Sequence, residues 1–150
     1  MLTQKNGSTA QSIEEQIDPR LKPLIKMPKS PSERPHLIGN NCTFCKECFF
    51  PKRVLCPNCL KEEGLEDVLL SYTGTLYTYC IVKAAPLGFS APYAIGYVDL
   101  PEGLRIFSPL AVDDARELQV GMDLELFVDK IREDEAGKAV YGYIFKPFST

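Results

Sequence analysis

The alternation of apolar and polar residues predicts β-strands in the C-terminal part of the chain. Residues 122–131, MDLELFVDKI, place Met122, Leu124, Leu126 and Val128 on one face and mainly acidic residues on the other. That two-residue period is typical of a strand with one buried face. Four further stretches are rich in Val, Ile, Leu, Tyr and Thr and are bounded by turn residues, which also favours strands. They lie within residues 67–86, 92–103, 104–112 and 140–148.

The connections between these strands narrow the fold class. Gly74 predicts a bulge or bend within the first strand, and Pro101-Glu102-Gly103 predicts a turn. Residues 113–121, DDARELQVG, predict one helical turn or a loop, capped by Asp113 or Asp114. Five strands with this element in about eighty residues favour a mainly β fold, a five-stranded OB-type barrel. A six-stranded barrel or a small sandwich would also satisfy the pattern.

The N-terminal segment has a different pattern. In residues 12–27, SIEEQIDPRLKPLIKM, apolar residues recur at helix-like spacing, but Pro19 and Pro23 interrupt it, which predicts one or two short helices. Residues 27–37 contain three prolines and predict an extended connector. This arm, residues 1–37, has too little apolar surface for a core of its own. It must lie on the rest of the chain or on a partner.

Five of the six cysteines lie between the arm and the predicted barrel. Four of them form two CxxC turns, and each turn can aim two sulfurs at one point, so a short hairpin would complete a four-thiolate metal site. Zinc is the expected metal, and the same ligands would also hold one iron. We therefore expect a rubredoxin-like zinc ribbon over residues 38–63 and the barrel over residues 64–150. The expected ligands are Cys42, Cys45, Cys56 and Cys59.

The remaining chemistry-bearing residues do not assemble into a catalyst. Cys48 and Cys80 are expected to be buried apolar side chains. The single histidine, His36, lies in the proline-rich connector, so the chain lacks the second histidine needed for a Cys/His or Ser/His arrangement. Four thiolates around a metal leave no open position for water. These residue types predict a binding or assembly module.

The lengths of the apolar runs indicate the cellular compartment in which the protein is expected. No apolar run approaches the roughly 18–20 residues that span a bilayer. The first twenty residues lack the apolar core of a secretory signal. We therefore expect a soluble, cytoplasmic protein. Clustered thiols in that compartment stay reduced and more often bind metal than form disulfides.

Charge is unevenly distributed and separates two classes of function. The net charge is +2 for residues 1–40, +1 for residues 41–63 and −6 for residues 64–150. Zinc ribbons and OB barrels often bind nucleic acid, but a surface that grips phosphates should be basic. Charge therefore favours a subunit that docks on an enzyme. The aromatic residues that could stack on bases are Tyr72, Tyr77, Tyr79 and Phe107.

From arm to barrel, the chain carries an ordered set of short motifs. They are NCTFCKECFFPKRVLCPNC in the ribbon, then SYTGTLYTY, APYAIGYVDLPEGLR and VGMDLELF in the barrel. In this order they resemble the zinc-ribbon/OB-fold family once known only as a domain of unknown function, whose members accompany thiolases and other acyl-CoA enzymes. The resemblance covers roughly residues 20–148. Beyond the four cysteines, the matching residues are Phe50, Pro51, Arg53, Pro92, Tyr93, Glu102, Gly103, Arg105, Gly121 and Met122.

Three positions depart from the family pattern. The glycines that follow each CxxC are Lys46 and Leu60 here, and the second proline of the hairpin is Lys52. Glycine is the residue that tolerates a positive φ. Its replacement is expected to tighten or distort the two turns while leaving the ligands in place.

The resemblance implies a non-catalytic accessory subunit of an acyl-CoA thiolase-type complex. In such a hetero-oligomer, a thiolase-like catalytic subunit would supply the nucleophilic cysteine. The arm and ribbon would dock on it and help to shape the CoA thioester site. Neither nucleic acid nor a membrane is expected as a partner, and the alternative is a zinc-ribbon/OB nucleic-acid-binding protein.

Candidate CoA contacts combine cations, which phosphates need, with aromatic surface. Phe49 and Phe50 could instead close the core of the ribbon. The full candidate set is Phe49, Phe50, Lys52, Arg53 and Lys83.

Overall fold

The computed structural model describes residues 13–30 and 32–148. Within these ranges the chain is mainly β, with a helical segment at residues 13–16 and two 3₁₀ turns, Lys22–Leu24 and Ala115–Glu117. None of the helical segments among these residues is long and apolar enough to cross a membrane. The strands are β1 (Ile25–Lys26), β2 (His36–Cys42), β3 (Cys48–Phe49), β4 (Leu65–Leu69), β5 (Thr73–Val82), β6 (Tyr93–Asp99), β7 (Arg105–Leu110), β8 (Asp123–Glu133) and β9 (Ala139–Pro147).

Strands β5, β6, β7, β9 and β8 close into a barrel in that order. Neighbouring strands are antiparallel except β7 and β9, which run parallel and meet at one bridge, Leu110 to Phe145. The 3₁₀ turn Ala115–Glu117 precedes β8, and the Asp114 side chain caps it by accepting a hydrogen bond from the Arg116 N–H. This is the five-stranded OB-type barrel that the strand pattern predicted.

The apolar face of β8 is buried, as the alternation of apolar and polar residues predicted. Leu124 and Leu126 are fully buried in the barrel core, and Met122 and Val128 pack against that core. Glu125 lies on the opposite face, where the pattern predicts solvent, yet it is only 9% exposed. A second element therefore covers the outer face of β8.

That covering element is the N-terminal arm. Arg34 forms an ion pair with Glu125. Its guanidinium lies between the rings of Tyr72 and Phe127, 5.1 and 4.9 Å from their centroids. A cation held between two aromatic faces and a carboxylate is a favourable partly desolvated arrangement. It fastens the proline-rich connector to the barrel.

A β-bulge in β5 changes which side chains face the core. The bulge lies between Leu76 and Thr78, not at Gly74, and Tyr77 is the extra residue. Because a bulge reverses the alternation beyond it, Cys80 points outward and is exposed. The prediction of a buried Cys80 was therefore wrong. Gly74 has a different role, since a Cβ there would lie 2.6 Å from Val98 Cγ1 and 2.8 Å from the Asp99 carbonyl oxygen of the neighbouring strand.

The cysteine-rich segment belongs to a second, smaller sheet. Strand β2 pairs with β1 at its start, with β3 on one side and with β4 on the other. The β2–β4 ladder runs from Ile38 opposite Leu69 to Cys42 opposite Leu65. The first apolar residues of the 67–86 stretch thus pair within this sheet, and the barrel begins only after Leu70.

A short junction joins the small sheet to the barrel. The Glu102 carboxylate, in the turn between β6 and β7, accepts hydrogen bonds from the Ser71 backbone N–H at 3.0 Å and the Ser71 hydroxyl at 2.6 Å. The Leu70 N–H donates to the Leu37 carbonyl at 2.9 Å. Hydrogen bonds to a charged group are among the stronger ones in proteins. The ribbon is therefore held to the end of the barrel at a defined orientation.

The described part of the arm lies on the same chain. Ile17 and Ile25 are buried in the core cluster. Ile17 forms a parallel bridge with Tyr141 of β9. Of the predicted helices, the structure shows residues 13–16 and one 3₁₀ turn, and residues 1–12 lie outside the described range. Turns replace the rest of the helix pattern around the prolines: the Leu21 and Lys22 N–H groups donate to the Asp18 carbonyl, and Pro23 lies within the 3₁₀ turn.

Asp18 connects this arm to the barrel through charge. Its side chain is 6% exposed and forms ion pairs with Arg20 at 3.0 Å and with Arg132 of β8 at 3.2 Å. The hydrogen bonds from Arg20 lower the pKa of Asp18 from 3.8 to about 2; the hydrogen bond from Arg132 acts in the same direction, and burial opposes them. The Asp18 carboxylate therefore binds a proton more weakly in the folded state than in the unfolded state.

We expect Asp18→Asn to lower the free energy of unfolding by about 1–2 kcal/mol at pH 7, a range that allows for solvent screening at the exposed Arg20. The difference should be complete above pH 4 and vanish as the pH falls through 2. Urea unfolding of both proteins across this range measures it. Asp114→Asn is the matched control, because Asp114 pairs with Arg116 at the same spacing on an exposed loop. A cost for Asp114→Asn equal to that for Asp18→Asn would contradict the role of Arg132.

Candidate metal centre

Two similar turns build the cysteine cluster. Cys42 ends β2, and the Lys46 N–H donates to the Cys42 carbonyl at 2.8 Å. In the second turn the Leu60 N–H donates to the Cys56 carbonyl at 2.7 Å. Each turn therefore closes over five residues and presents the two sulfurs of its CxxC on one side.

The residue after each CxxC has left-handed backbone geometry. Lys46 has a φ of 68° and Leu60 a φ of 61°. These are the two positions where the resembled family has glycine, and the expected positive φ is present despite the side chains. A left-handed non-glycine residue costs roughly 1–2 kcal/mol. Both turns are thus held in a conformation that their own sequence disfavours.

The four sulfurs converge. The Sγ atoms of the cluster all lie within 4.8 Å of one another. The Cys42–Cys59 Sγ separation is 3.9 Å and that of Cys45–Cys56 is 3.6 Å. A zinc–sulfur bond of about 2.3 Å in a tetrahedron places the sulfurs about 3.8 Å apart. The donor set therefore fits a four-thiolate metal ion.

The electrostatics of the cluster also suit a cation. The Cys45 backbone N–H is the main cause that lowers the pKa of the Cys42 thiol from 9.0 to about 6. Desolvation, followed by the neighbouring thiols, raises the pKa of Cys59 to about 12. One thiol ionises readily, while burial and then the neighbouring sulfurs keep the next thiol protonated. A divalent cation at the centre removes that conflict.

The other two cysteines stand apart from this group. Cys48 starts β3 opposite Asn41 and is half-buried, and its sulfur accepts a hydrogen bond from the Asn41 side-chain amide at 3.3 Å. Cys80 is exposed on the barrel. Neither side chain belongs to the converging set of sulfurs.

The structure separates the candidate CoA contacts into different environments. Phe49 and Phe50 are half-buried. The Phe50 ring packs against the hydrophobic core and meets Tyr143 edge-on, with centroids 6.1 Å apart. Phe50 thus packs between the ribbon and the barrel.

The two basic candidates of the ribbon lie on its surface. Lys52 is exposed and forms an ion pair with Asp67 at 3.2 Å. The exposed Arg53 has its backbone fixed by Asn40, whose amide donates to the Arg53 carbonyl at 2.7 Å. Lys83 follows the end of β5, and the ten residues of that strand, about 30 Å long, separate it from the junction at Ser71.

Sequence reasoning missed a group of exposed apolar side chains on the two turns. They flank the ligands in sequence, and because the sulfurs point inward, neighbouring side chains must point outward. The Lys61 ammonium lies 4.0 Å from the centroid of the Phe44 ring, which links the second turn to the first. This ribbon tip consists of Phe44, Val54, Leu55 and Leu60, which are 53%, 85%, 41% and 71% exposed.

Known proteins are similar to this chain in sequence and in fold. Residues 67–128 match the family model described as ChsH2, C-terminal OB-fold domain. A DUF35 domain-containing scaffold protein of Methanocaldococcus jannaschii is 37% identical over 131 residues, which cover 85% of this chain and 93% of that protein. The benzoylsuccinyl-CoA thiolase subunit BbsA of Thauera aromatica is 37% identical over 112 residues, covering 75% of this chain and 76% of BbsA.

A solved structure shows the same relation in three dimensions. The match is to a chain of the Ltp2-ChsH2(DUF35) aldolase, with a TM-score of 0.62 and 26% identity. It covers 75% of this chain and 84% of that one. The similarity to the Methanocaldococcus jannaschii scaffold protein over most of both chains shows that this chain belongs to the DUF35 family.

Proposed function

We propose that the chain is a non-catalytic accessory subunit of an acyl-CoA thiolase-type complex. The observation that carries this proposal is the similarity to a benzoylsuccinyl-CoA thiolase subunit over three quarters of both chains. The single histidine supports it, because His36 Nδ1 lies 2.8 Å from the Leu70 carbonyl oxygen and its ring packs edge-on against Tyr72. That imidazole is part of the junction. The nucleophilic cysteine would come from the partner.

The ribbon tip is the proposed docking surface for the catalytic subunit. Val54 and Leu60 expose most of their apolar area to solvent. Contiguous exposed apolar surface typically marks a protein–protein contact. The arm, which the sequence also placed at the partner, lies on this chain in its described part, so this contact is proposed for the ribbon tip and not for the arm.

The ribbon is also proposed to lie beside the CoA thioester. Residues 51–55 form a continuous exposed segment that contains Lys52 and Arg53, and Phe49 lies just before it. Guanidinium and ammonium groups bind phosphate by charge-assisted hydrogen bonds. The Lys52–Asp67 pair is exposed, and such a pair is weak enough for a phosphate to displace the carboxylate.

Zinc is the metal proposed for the cysteine cluster. Four thiolates at these separations suit a closed tetrahedral zinc site, and such a site contributes folding free energy on the order of 10 kcal/mol. That contribution would offset the left-handed geometry at Lys46 and Leu60. Cys42, Cys45, Cys56 and Cys59 are the proposed ligands.

We expect Cys59→Ser to reduce bound zinc from one per chain to well below one and to unfold the ribbon. Elemental analysis of the purified protein measures the zinc content, and thermal unfolding measures the loss of ribbon stability. Cys48→Ser is the matched control from the same hairpin and should keep one zinc per chain. Equal loss in both variants would contradict the ligand assignment, and iron in the wild-type protein would contradict the metal.

Co-purification from the native cell tests the function. The tagged chain should retain an acyl-CoA enzyme through high-salt washing, identified by mass spectrometry and by CoA-dependent carbon–carbon bond cleavage or formation. Val54→Ser/Leu55→Ser should weaken this association. Leu87→Ser, a control at a 94% exposed apolar residue in the β5–β6 loop, should leave it unchanged. Nucleic acid in place of an enzyme, released by salt, would overturn the proposal.

Calorimetric titration of the purified complex with CoA tests the ligand contacts. Arg53→Ala and Lys52→Ala should each weaken CoA binding several-fold, because each removes one cation from a phosphate. Lys83→Ala should have the smallest effect of the three, given its place at the far end of β5. Unchanged affinity in both ribbon variants would exclude the proposed contact.

A further inference from the structure

Three aromatic side chains form a row across the outside of the barrel. Tyr97 on β6 lies directly opposite Phe107 on β7, and their rings meet with centroids 5.5 Å apart at an angle of 64°. Tyr77, the bulge residue of β5, falls between Leu76, which pairs with Val98, and Thr78, which pairs with Tyr97. We call Tyr77, Tyr97 and Phe107 the aromatic face; they are 48%, 43% and 49% exposed.

The charges beside the aromatic face neutralise each other. The Arg105 guanidinium lies over the Tyr77 ring, 3.3 Å from its centroid. Its Nε and Nη2 atoms donate to the two Asp99 carboxylate oxygens at 2.7 and 3.2 Å. The cation of this face is therefore already paired, and little positive field extends toward solvent.

Single exposed aromatic residues are common on protein surfaces and need no explanation. Three in a contiguous row, joined by an arginine, are different. Tyr, Phe and Arg are the residues enriched at protein interfaces, and the energetically dominant positions there are most often Tyr, Trp and Arg. Tyr77 follows the buried Leu76 and therefore points outward, and the bulge places the next residue, Thr78, on the outer face as well.

Nucleic acid is the competing occupant. The second and third strands of OB barrels commonly bind oligonucleotides, and exposed aromatic rings stack on bases. That mode also requires a basic groove for the phosphates. Here the Arg105 guanidinium is already paired with the Asp99 carboxylate. Residues 64–150 have a net charge of −6. The charges favour a protein partner.

We infer that the aromatic face is a docking surface for the catalytic subunit of the proposed complex. This inference rests on the proposed function. Charge complementarity favours this occupant: a site that binds the phosphates of CoA is basic, and the acidic barrel, with a net charge of −6, suits the surface around it. Residues 1–63, which carry +3, would then lie nearer to the CoA phosphates.

Tyr97→Thr/Phe107→Thr tests the inference, because threonine keeps strand propensity while removing the rings. We expect the double variant to bind the separately purified thiolase-like chain at least about tenfold more weakly, the effect of losing dominant interface residues. Calorimetry or biolayer interferometry measures the dissociation constant. Leu87→Thr, at the exposed apolar residue of the β5–β6 loop, is the control and should bind as wild type does. Thermal unfolding checks that each variant is folded.

Each outcome decides between the two proposals. A wild-type chain that captures an acyl-CoA enzyme, with unchanged affinity in the folded double variant, overturns the docking role of this face and leaves the proposed function standing. A wild-type chain that captures no such enzyme overturns both. Fluorescence anisotropy with a labelled oligo(dT) measures whether the chain binds single-stranded nucleic acid, the competing occupant. Binding by the wild type and loss in the double variant would assign the face to single-stranded nucleic acid and contradict the inference.

Discussion

The Glu102 carboxylate sets the position of the ribbon relative to the barrel. It lies in the turn between β6 and β7 and accepts both hydrogen bonds that Ser71 can donate, in the short link between the last strand of the small sheet and the first strand of the barrel. His36 adds a contact on the same side through the Leu70 carbonyl. Since the two sheets share no strand, their relative orientation depends on this junction and on the arm that crosses both.

This junction gives the proposed function a geometric basis. An accessory subunit that shapes a site on another protein must present its contacts at a constant spacing, because a displacement of about 1 Å can matter at a reacting centre. The ribbon tip lies on the turns of the ribbon and the aromatic face on the barrel, and the Glu102–Ser71 contact holds the ribbon and the barrel together. The division of charge between ribbon and barrel is therefore also a division in space.

Strand periodicity and cysteine spacing were sufficient to predict most of the fold and the sulfur cluster. These are local signals: a two-residue period specifies a buried face, and two CxxC turns specify two pairs of converging thiols. The exposure of Cys80 and the burial of Glu125 could not be predicted, because each depends on a non-local event. The bulge in β5 reverses the direction in which Cys80 points. Arg34, which is ninety-one residues before Glu125, covers the Glu125 side chain.

The barrel closes through a single parallel bridge between β7 and β9, so this side has the fewest hydrogen bonds to break. Local opening, detectable as fast amide hydrogen exchange, concentrates where the fewest bonds resist it. Tyr143 spans this gap by donating to the Phe107 carbonyl at 3.1 Å, and Phe50 of the ribbon packs against the Tyr143 ring. The ribbon therefore braces the weakest side of the barrel, and amide hydrogen exchange at that side reports on the state of the ribbon.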